Sequence, residues 1–142
     1  MAEVVSISVR EQKGVPKKIL TTTRAEKDHG LPGDRHAGPG DRQMSLFARE
    51  CLRRLRAKGI AIDCGGFGEN ITTSGIKLSA LKPGARLLVG EVPIEVTRIG
   101  KFCKKPCAAY PEQSLCPLPR EGAFAKVLAS GTISVGDRVE II

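Results

Sequence analysis

Between Gly30 and Gly40 the chain reads Gly-Leu-Pro-Gly-Asp-Arg-His-Ala-Gly-Pro-Gly, a run that can continue neither as a helix nor as an interior strand. Breakers of the same kind recur at Gly14-Val15-Pro16, Gly65-Gly66-Phe67-Gly68, Lys82-Pro83-Gly84, Gly90-Glu91, Ser130-Gly131 and Gly136-Asp137. The segments between them are short and patterned for strands. Val5, Ile7 and Val9 alternate with polar residues and predict a first strand with one buried face. Further strands are predicted over Ile19 to Arg24, Glu69 to Thr73, Arg86 to Val89, Val92 to Arg98, Ala123 to Leu128 and Arg138 to Ile142. In the fourth of these Val92, Ile94 and Val96 share a face.

Only one helix is predicted. Ser45 serves as its N-cap, Phe47, Cys51, Leu52 and Leu55 form its apolar stripe, and Gly59 supplies a left-handed C-terminal cap. Arg49, Arg53, Arg54, Arg56 and Lys58 fall mainly outside that stripe and read as a solvated face rather than a ligand surface. About seven short strands and one helix in 142 residues predict a mainly β, single-domain chain over residues 1–142, closed into a small barrel.

No apolar run approaches the roughly 20 residues that span a bilayer, and the first ten residues lack the layout of a secretory signal. A cytoplasmic location with reduced thiols is expected, and the odd count of five cysteines argues against a closed disulfide framework. The net charge of +8 calls for an anionic partner. Nucleic acid is disfavoured, because four Phe, one Tyr and no Trp offer few stacking platforms and the basic residues follow no nucleic-acid motif. A small phosphorylated ligand suits the composition better.

The chemistry concentrates in Lys101-Phe102-Cys103-Lys104-Lys105-Pro106-Cys107, with Cys116 beyond it. Flanking ammonium groups stabilise a thiolate, the form that attacks electrophiles and binds soft metals. Three readings stand side by side: incidental thiols; a zinc site in which Cys103, Cys107 and Cys116 join His29 or His36; and a single reactive thiolate, Cys103, with Cys107 and Cys116 as auxiliaries. Structural zinc is disfavoured, since it usually takes repeated paired cysteines and only one pair is present. Cys51 belongs to the helix stripe and reads as core; Cys64, beside a glycine cluster, is unassigned. Gly33-Asp34-Arg35-His36 reads either as a tight turn held by Asp34 or as an anion cradle of backbone N–H groups with Arg35 and Arg42. Asn70 carries donors and acceptors in one amide, which suits reading a heterocycle edge or a phosphate.

Taken in order, these segments resemble the MOSC domain, named for the C-terminal part of molybdenum cofactor sulfurases. The matching elements are Lys13 to Lys17, Gly33 to Gly38, Arg42-Gln43-Met44-Ser45, Phe67 to Ile76, Leu87 to Glu91, Thr97 to Cys103, Pro119 to Ala125 and Val135-Gly136-Asp137. The loop from Cys103 to Cys107 and the run Pro119-Arg120-Glu121-Gly122 look most like small stand-alone bacterial members, although Lys104 stands where those often have histidine. The resemblance implies a β-rich fold of the pyruvate-kinase barrel type, and Cys103 as the functional thiol. In members that reduce N-hydroxylated compounds the equivalent thiolate ligates molybdenum of a bound pterin; in sulfurase-linked members it is proposed to carry sulfur as a persulfide. It further implies molybdopterin as ligand, with Gly33, Arg35, Arg42, Asn70, Arg98 and Lys101 lining its site by motif match and charge. A cysteine desulfurase or a molybdopterin-biosynthesis protein is the implied partner.

Overall fold

The computed structural model describes residues 2–12, 15–59, 64, 69–100 and 122–142. Among these the chain runs β1 (Glu3–Val9), β2 (Lys18–Leu20), β3 (Thr22–Ala25), β4 (Met44–Ala48), α1 (Arg49–Ala57) and β5 (Ile71–Ser74). A 3₁₀ turn at Leu78–Ala80 follows, then β6 (Arg86–Val89), β7 (Val92–Ile99), β8 (Ala123–Val127), β9 (Gly131–Ser134) and β10 (Val139–Ile141). The expectation of a mainly β chain with one helix holds. Eight strands form one sheet in the order β10-β6-β7-β8-β4-β5-β1-β2, while β3 and β9 make a separate two-stranded ribbon.

The sheet is strongly curled but not fully closed. Its ends approach at one corner, where Glu3 bridges Arg138 and the Val4 N–H donates to the Asp137 carbonyl at 2.8 Å. Inside the curl, alternate residues of each strand form the core. One cross-strand row shows the pattern: Ile7 of β1 faces Ile71 of β5, Ile71 faces Leu46 of β4, Leu46 faces Ala123 of β8, and Ala123 faces Ile99 of β7. All five belong to or pack against the principal apolar cluster. Because strand side chains alternate, the residues next to this row point to the opposite, outer face.

Four sequence expectations are corrected. Val5 is only half-buried; Val4, Ile7 and Val9 are the buried apolar residues of β1, with Ser8 buried beside them. The register against β5 slips between Val4 and Ser6, so Val5 is the extra residue of a bulge and the inward face changes there. The expected second strand is two, β2 pairing with β1 and β3 with β9. The turn at Ser130-Gly131 leads at once into β9, a strand too short to register as one by alternation. Ser45 is not a helix cap but lies in β4, where Met44 and Leu46 alternate into the core and the strand pairs on both sides.

The helix therefore begins at Arg49, with Ala48 at the N-cap position and no side-chain cap. Cys51, Leu52 and Leu55 form its buried stripe, and α1 packs against β4 and β5. These three side chains, with Phe47 and Phe124, are buried apart from the principal cluster and make a smaller apolar group. Glu50 in the first turn and Arg54 and Arg56 in the last complement the helix dipole. Gly59 ends the helix as expected, at φ +87°, donating its N–H to the Arg56 carbonyl at 2.9 Å.

Candidate functional site

The outer-face row adjoining the core row reads Ser8 of β1, Asn70, Ser45 of β4, Phe124 of β8 and Arg98 of β7. Its register is fixed by the Ser8 N–H donating to the Asn70 carbonyl at 2.8 Å, the Asn70 N–H to the Ser45 carbonyl at 3.0 Å, and the pairings Ser45 with Phe124 and Phe124 with Arg98. Four inter-strand steps carry it across roughly 19 Å of sheet. The Arg42 guanidinium lies over the Phe124 ring, 5.3 Å from its centroid, a cation–π placement that sets this charge beside Arg98. Three of the residues singled out in the sequence, Arg42, Asn70 and Arg98, therefore sit on or over one line.

Gly33 and Arg35 join it from the other end, through Arg10. The Arg10 N–H donates to Asp34 Oδ1 at 3.0 Å, and the Arg35 N–H donates to the Arg10 carbonyl at 2.7 Å. Asp34 Oδ2 accepts from the His36 N–H at 3.0 Å and pairs with His36 Nδ1 at 3.2 Å. Asp34 is thus the tight-turn anchor that the sequence suggested. Burial pushes its carboxyl pKa up, but the bonds from the His36 ring, the Arg10 N–H and the His36 N–H, with the charge of His36, outweigh burial and leave it lowered. The loop is clamped to the sheet as well. Gly30, at φ +107°, lies so close to β4 that a Cβ there would stand 2.2 Å from the Gln43 carbonyl oxygen. Gln43, buried beside it, accepts the Val127 N–H on Oε1 at 2.9 Å and donates Nε2 to the Gly40 carbonyl at 3.2 Å.

Asn70 has a different position from the one its side chain suggested. Its amide is buried, with Nδ2 donating to the Ser8 carbonyl at 3.1 Å and Oδ1 accepting from the Ser45 N–H at 3.0 Å and the Ser45 hydroxyl at 3.3 Å. The group joins β1, β5 and β4 where parallel and antiparallel pairings meet. It forms the floor of the line rather than a projection from it. Beside it the Ser8 hydroxyl donates to the Glu69 carbonyl at 2.7 Å, and buried Glu69 accepts the Thr72 hydroxyl on Oε2 at 3.3 Å.

Electrostatically the line is cationic. On the next outer row Glu95 is taken by Arg86 at 3.3 Å and Lys126 at 3.4 Å. Arg10, Arg35, Arg42 and Arg98, by contrast, make no ion pair among the described residues. Sequence reasoning missed Arg10. The signal was present in the alternation Ser8-Val9-Arg10, which puts an arginine at the end of the polar face of β1.

Cys103, Cys107, Cys116 and Lys101 lie outside the described residues. Cys51 is buried in the helix stripe, as expected of a core thiol, and Cys64 is half-buried; both are free thiols. The Lys17 ammonium donates to the Cys64 carbonyl at 2.5 Å. No group of three or more His, Cys, Asp or Glu able to hold a metal occurs among the described residues. A groove of about 450 Å³ beside α1, lined by Glu50, Cys51, Arg54 and Lys77, contains none of the candidate ligand-binding residues.

The fold defines a small protein built on one strongly curled β-sheet. The MOSC domain profile matches residues 32–140, and the chain belongs to that family. It is a family associated with molybdenum cofactor sulfurases. Among solved structures the fold is similar to YiiM from Geobacillus stearothermophilus, at 20% identity and TM-score 0.71 over 100% of this chain and 75% of that one. The YUAD protein from Bacillus subtilis superposes at 20% identity and TM-score 0.74, over 99% of this chain and 96% of that one. YiiM from Escherichia coli does so at 21% identity and TM-score 0.69, over 100% and 70%. None of the curated proteins compared with the chain matches its sequence. No helix among the described residues is long and apolar enough to cross a membrane.

Proposed function

We propose that this chain is a cytoplasmic, single-domain protein of molybdenum cofactor metabolism, binding the pterin cofactor or its precursor and carrying sulfur on Cys103. The observation that supports it most is that Arg10, Arg35, Arg42 and Arg98, on or beside the outer row of the sheet, have no carboxylate partner among the described residues. Such charges suit a ligand with a charged phosphate end. The residues present fit the group: Arg35, Arg42 and Arg98 would supply charge to it, Gly33 would shape the loop, Asn70 holds the floor, and Lys101 stands two residues before Cys103 in the sequence. If the metal is bound, Cys103 is its ligand, and the metal supplies the redox chemistry.

In the carrier role the Cys103 thiolate attacks the outer sulfur of a donor persulfide, such as that of a cysteine desulfurase. A new S–S bond forms on Cys103, the donor's S–S bond breaks, and the donor leaves as its thiolate. Neighbouring lysines keep Cys103 deprotonated for that attack.

The test is to purify the chain from a cofactor-producing host and look for fluorescent oxidised pterin and for molybdenum. Offered a cysteine desulfurase and cysteine, the chain should gain about 32 Da, the mass of one sulfur. Cys103→Ala should abolish that gain, whereas Cys51→Ala should not. Absence of pterin, of affinity for added cofactor and of the mass gain refutes the reading. Turnover of an N-hydroxylated amidine with reduced donors, without the mass gain, replaces the carrier by a reductase.

A further inference from the structure

The groove beside α1 has two walls that the fold already fixes. One is the helix from Ala48 to Arg54; the other is the segment Gly75 to Ser79, which leads from β5 into the 3₁₀ turn. Glu50 Oε2 accepts the Gly75 N–H at 2.7 Å and ties the two walls together. Leu78 is buried and Ile76 packs against the principal apolar cluster, so the second wall is anchored from below. From Ala48 to Arg54 the helix rises about 9 Å, the reach of about three residues of extended chain. At about 450 Å³ the groove falls within the range of ligand-binding clefts, roughly 300–1,000 Å³.

Charge on these walls is chiefly positive. Arg54 stands on the helix side and Lys77 on the other, against one lining carboxylate, Glu50, which is bonded to Gly75. Lys77 is exposed and makes no ion pair among the described residues, and the same holds for Arg53 and Lys58 along the helix. From Arg49 to Lys58 five basic residues stand against one acidic residue. We infer that this groove docks a short acidic segment of a partner protein. An aliphatic side chain of that segment rests on Ile76, and its carboxylates meet Lys77 and Arg54. A nucleic-acid strand suits the groove less, because no aromatic residue lines it to stack a base. The surface is separate from the cofactor reading, since none of Gly33, Arg35, Arg42 and Arg98 lines it.

The full-length chain is titrated with fluorescein-labelled Glu-Asp-Leu-Asp-Glu by fluorescence anisotropy at fixed low salt, and its amide resonances are followed by NMR. The peptide should bind saturably and shift the amides of Gly75 to Ser79 and of α1. Replacing its leucine by glycine should weaken binding at least about fivefold, through loss of the aliphatic contact. The uncharged peptide Gln-Asn-Leu-Asn-Gln should not bind measurably. Lys77→Glu should weaken binding about threefold or more, the effect of turning one exposed ion pair into a repulsion. Lys27→Glu, exposed and outside the groove lining, changes net charge equally and should bind as the parent does. Equal losses in Lys77→Glu and Lys27→Glu, indifference to the leucine, or amide shifts confined to other parts of the chain overturn the docking reading. The last of these is read on the parent protein and needs no variant. Tighter binding of an oligodeoxythymidine of equal charge at the same amides assigns the groove to nucleic acid and overturns it as well.

Discussion

Replacing Asn70 by alanine separates a framework amide from one that reads a ligand. The substitution removes the donor to the Ser8 carbonyl and the acceptor for the Ser45 N–H and hydroxyl, at bond lengths of 3.1, 3.0 and 3.3 Å in a site only 2% exposed. Buried backbone groups left without partners cost about 1–3 kcal/mol each, so the loss should come to about 3–5 kcal/mol. That is a large share of the roughly 5–15 kcal/mol that holds a domain together. Urea denaturation followed by circular dichroism measures it; with one Tyr and no Trp, intrinsic fluorescence is a poor probe here. Asn70→Asp supplies a second check. It keeps Oδ1 but sets an oxygen against the Ser8 carbonyl and buries a carboxyl whose pKa burial raises. The folded state then binds more protons than the unfolded one, so this variant should gain stability as pH falls. If Asn70→Ala moved stability by less than about 0.5 kcal/mol, the range of an ordinary surface change, and yet lost ligand, the framework argument would be wrong.

Three further outcomes follow from the loop that carries Arg35. The lowered Asp34 pKa means that its contribution to stability is fully present above the ordinary carboxyl value of 3.8 and is lost as pH falls through the folded-state value. Acid denaturation of Asp34→Asn should therefore show a flatter acid limb than that of the parent, and an unchanged limb refutes the anchor role. Gly30→Ala should cost at least about 3 kcal/mol, because a strained φ of +107° is joined by a backbone clash at 2.2 Å. Gly33→Ala, at φ +84° with nothing within 4 Å of the new Cβ, should cost only the conformational strain, about 1–2 kcal/mol. Equal effects at the two glycines, measured by the same denaturation, refute the clamp on Gln43.

Much of the fold was legible in the sequence because its strands alternate cleanly. Val92, Ile94 and Val96 are buried as their period required, and the glycine turns fall between elements. What misled was local spacing that fits two structures at once. Phe47, Cys51 and Leu55 repeat every four residues as a helix stripe does, yet Phe47 belongs to β4, where pairing with β5 and β8 overrides the helical pattern. Ile19 to Arg24 read as one strand because nothing in its composition marks the change of sheet between Leu20 and Thr22. For the site, composition and motif singled out Arg35, Arg42 and Arg98, of which Arg42 and Arg98 meet at Phe124. They gave Asn70 a ligand-facing role, whereas its amide is bonded to Ser8 and Ser45, and they passed over Arg10, whose backbone holds the Gly33–His36 loop. Neither arrangement is written in residue identity alone.

The convergence of those charges depends on two extra residues. In β7 the register against β8 slips between Val96 and Arg98, making Thr97 a bulge. Strict alternation from buried Val96 would aim Arg98 into the core; the bulge turns it out beside Phe124 and lets Ile99 resume the inner row. The Thr97 hydroxyl donates to the Asp41 carbonyl, fixing the bulge to the residue before Arg42. In β1 the slip at Val5 does the same work: alternation from Val4 would send Ser6, Ser8 and Arg10 inward, whereas the bulge places Ile7 and Val9 inside and Arg10 on the outer face. Two one-residue insertions on strands at opposite ends of the line therefore bring both terminal arginines to the same side of the sheet. A core of alternating apolar residues needs neither insertion; their shared result is that Arg10 and Arg98 leave the sheet on the same side.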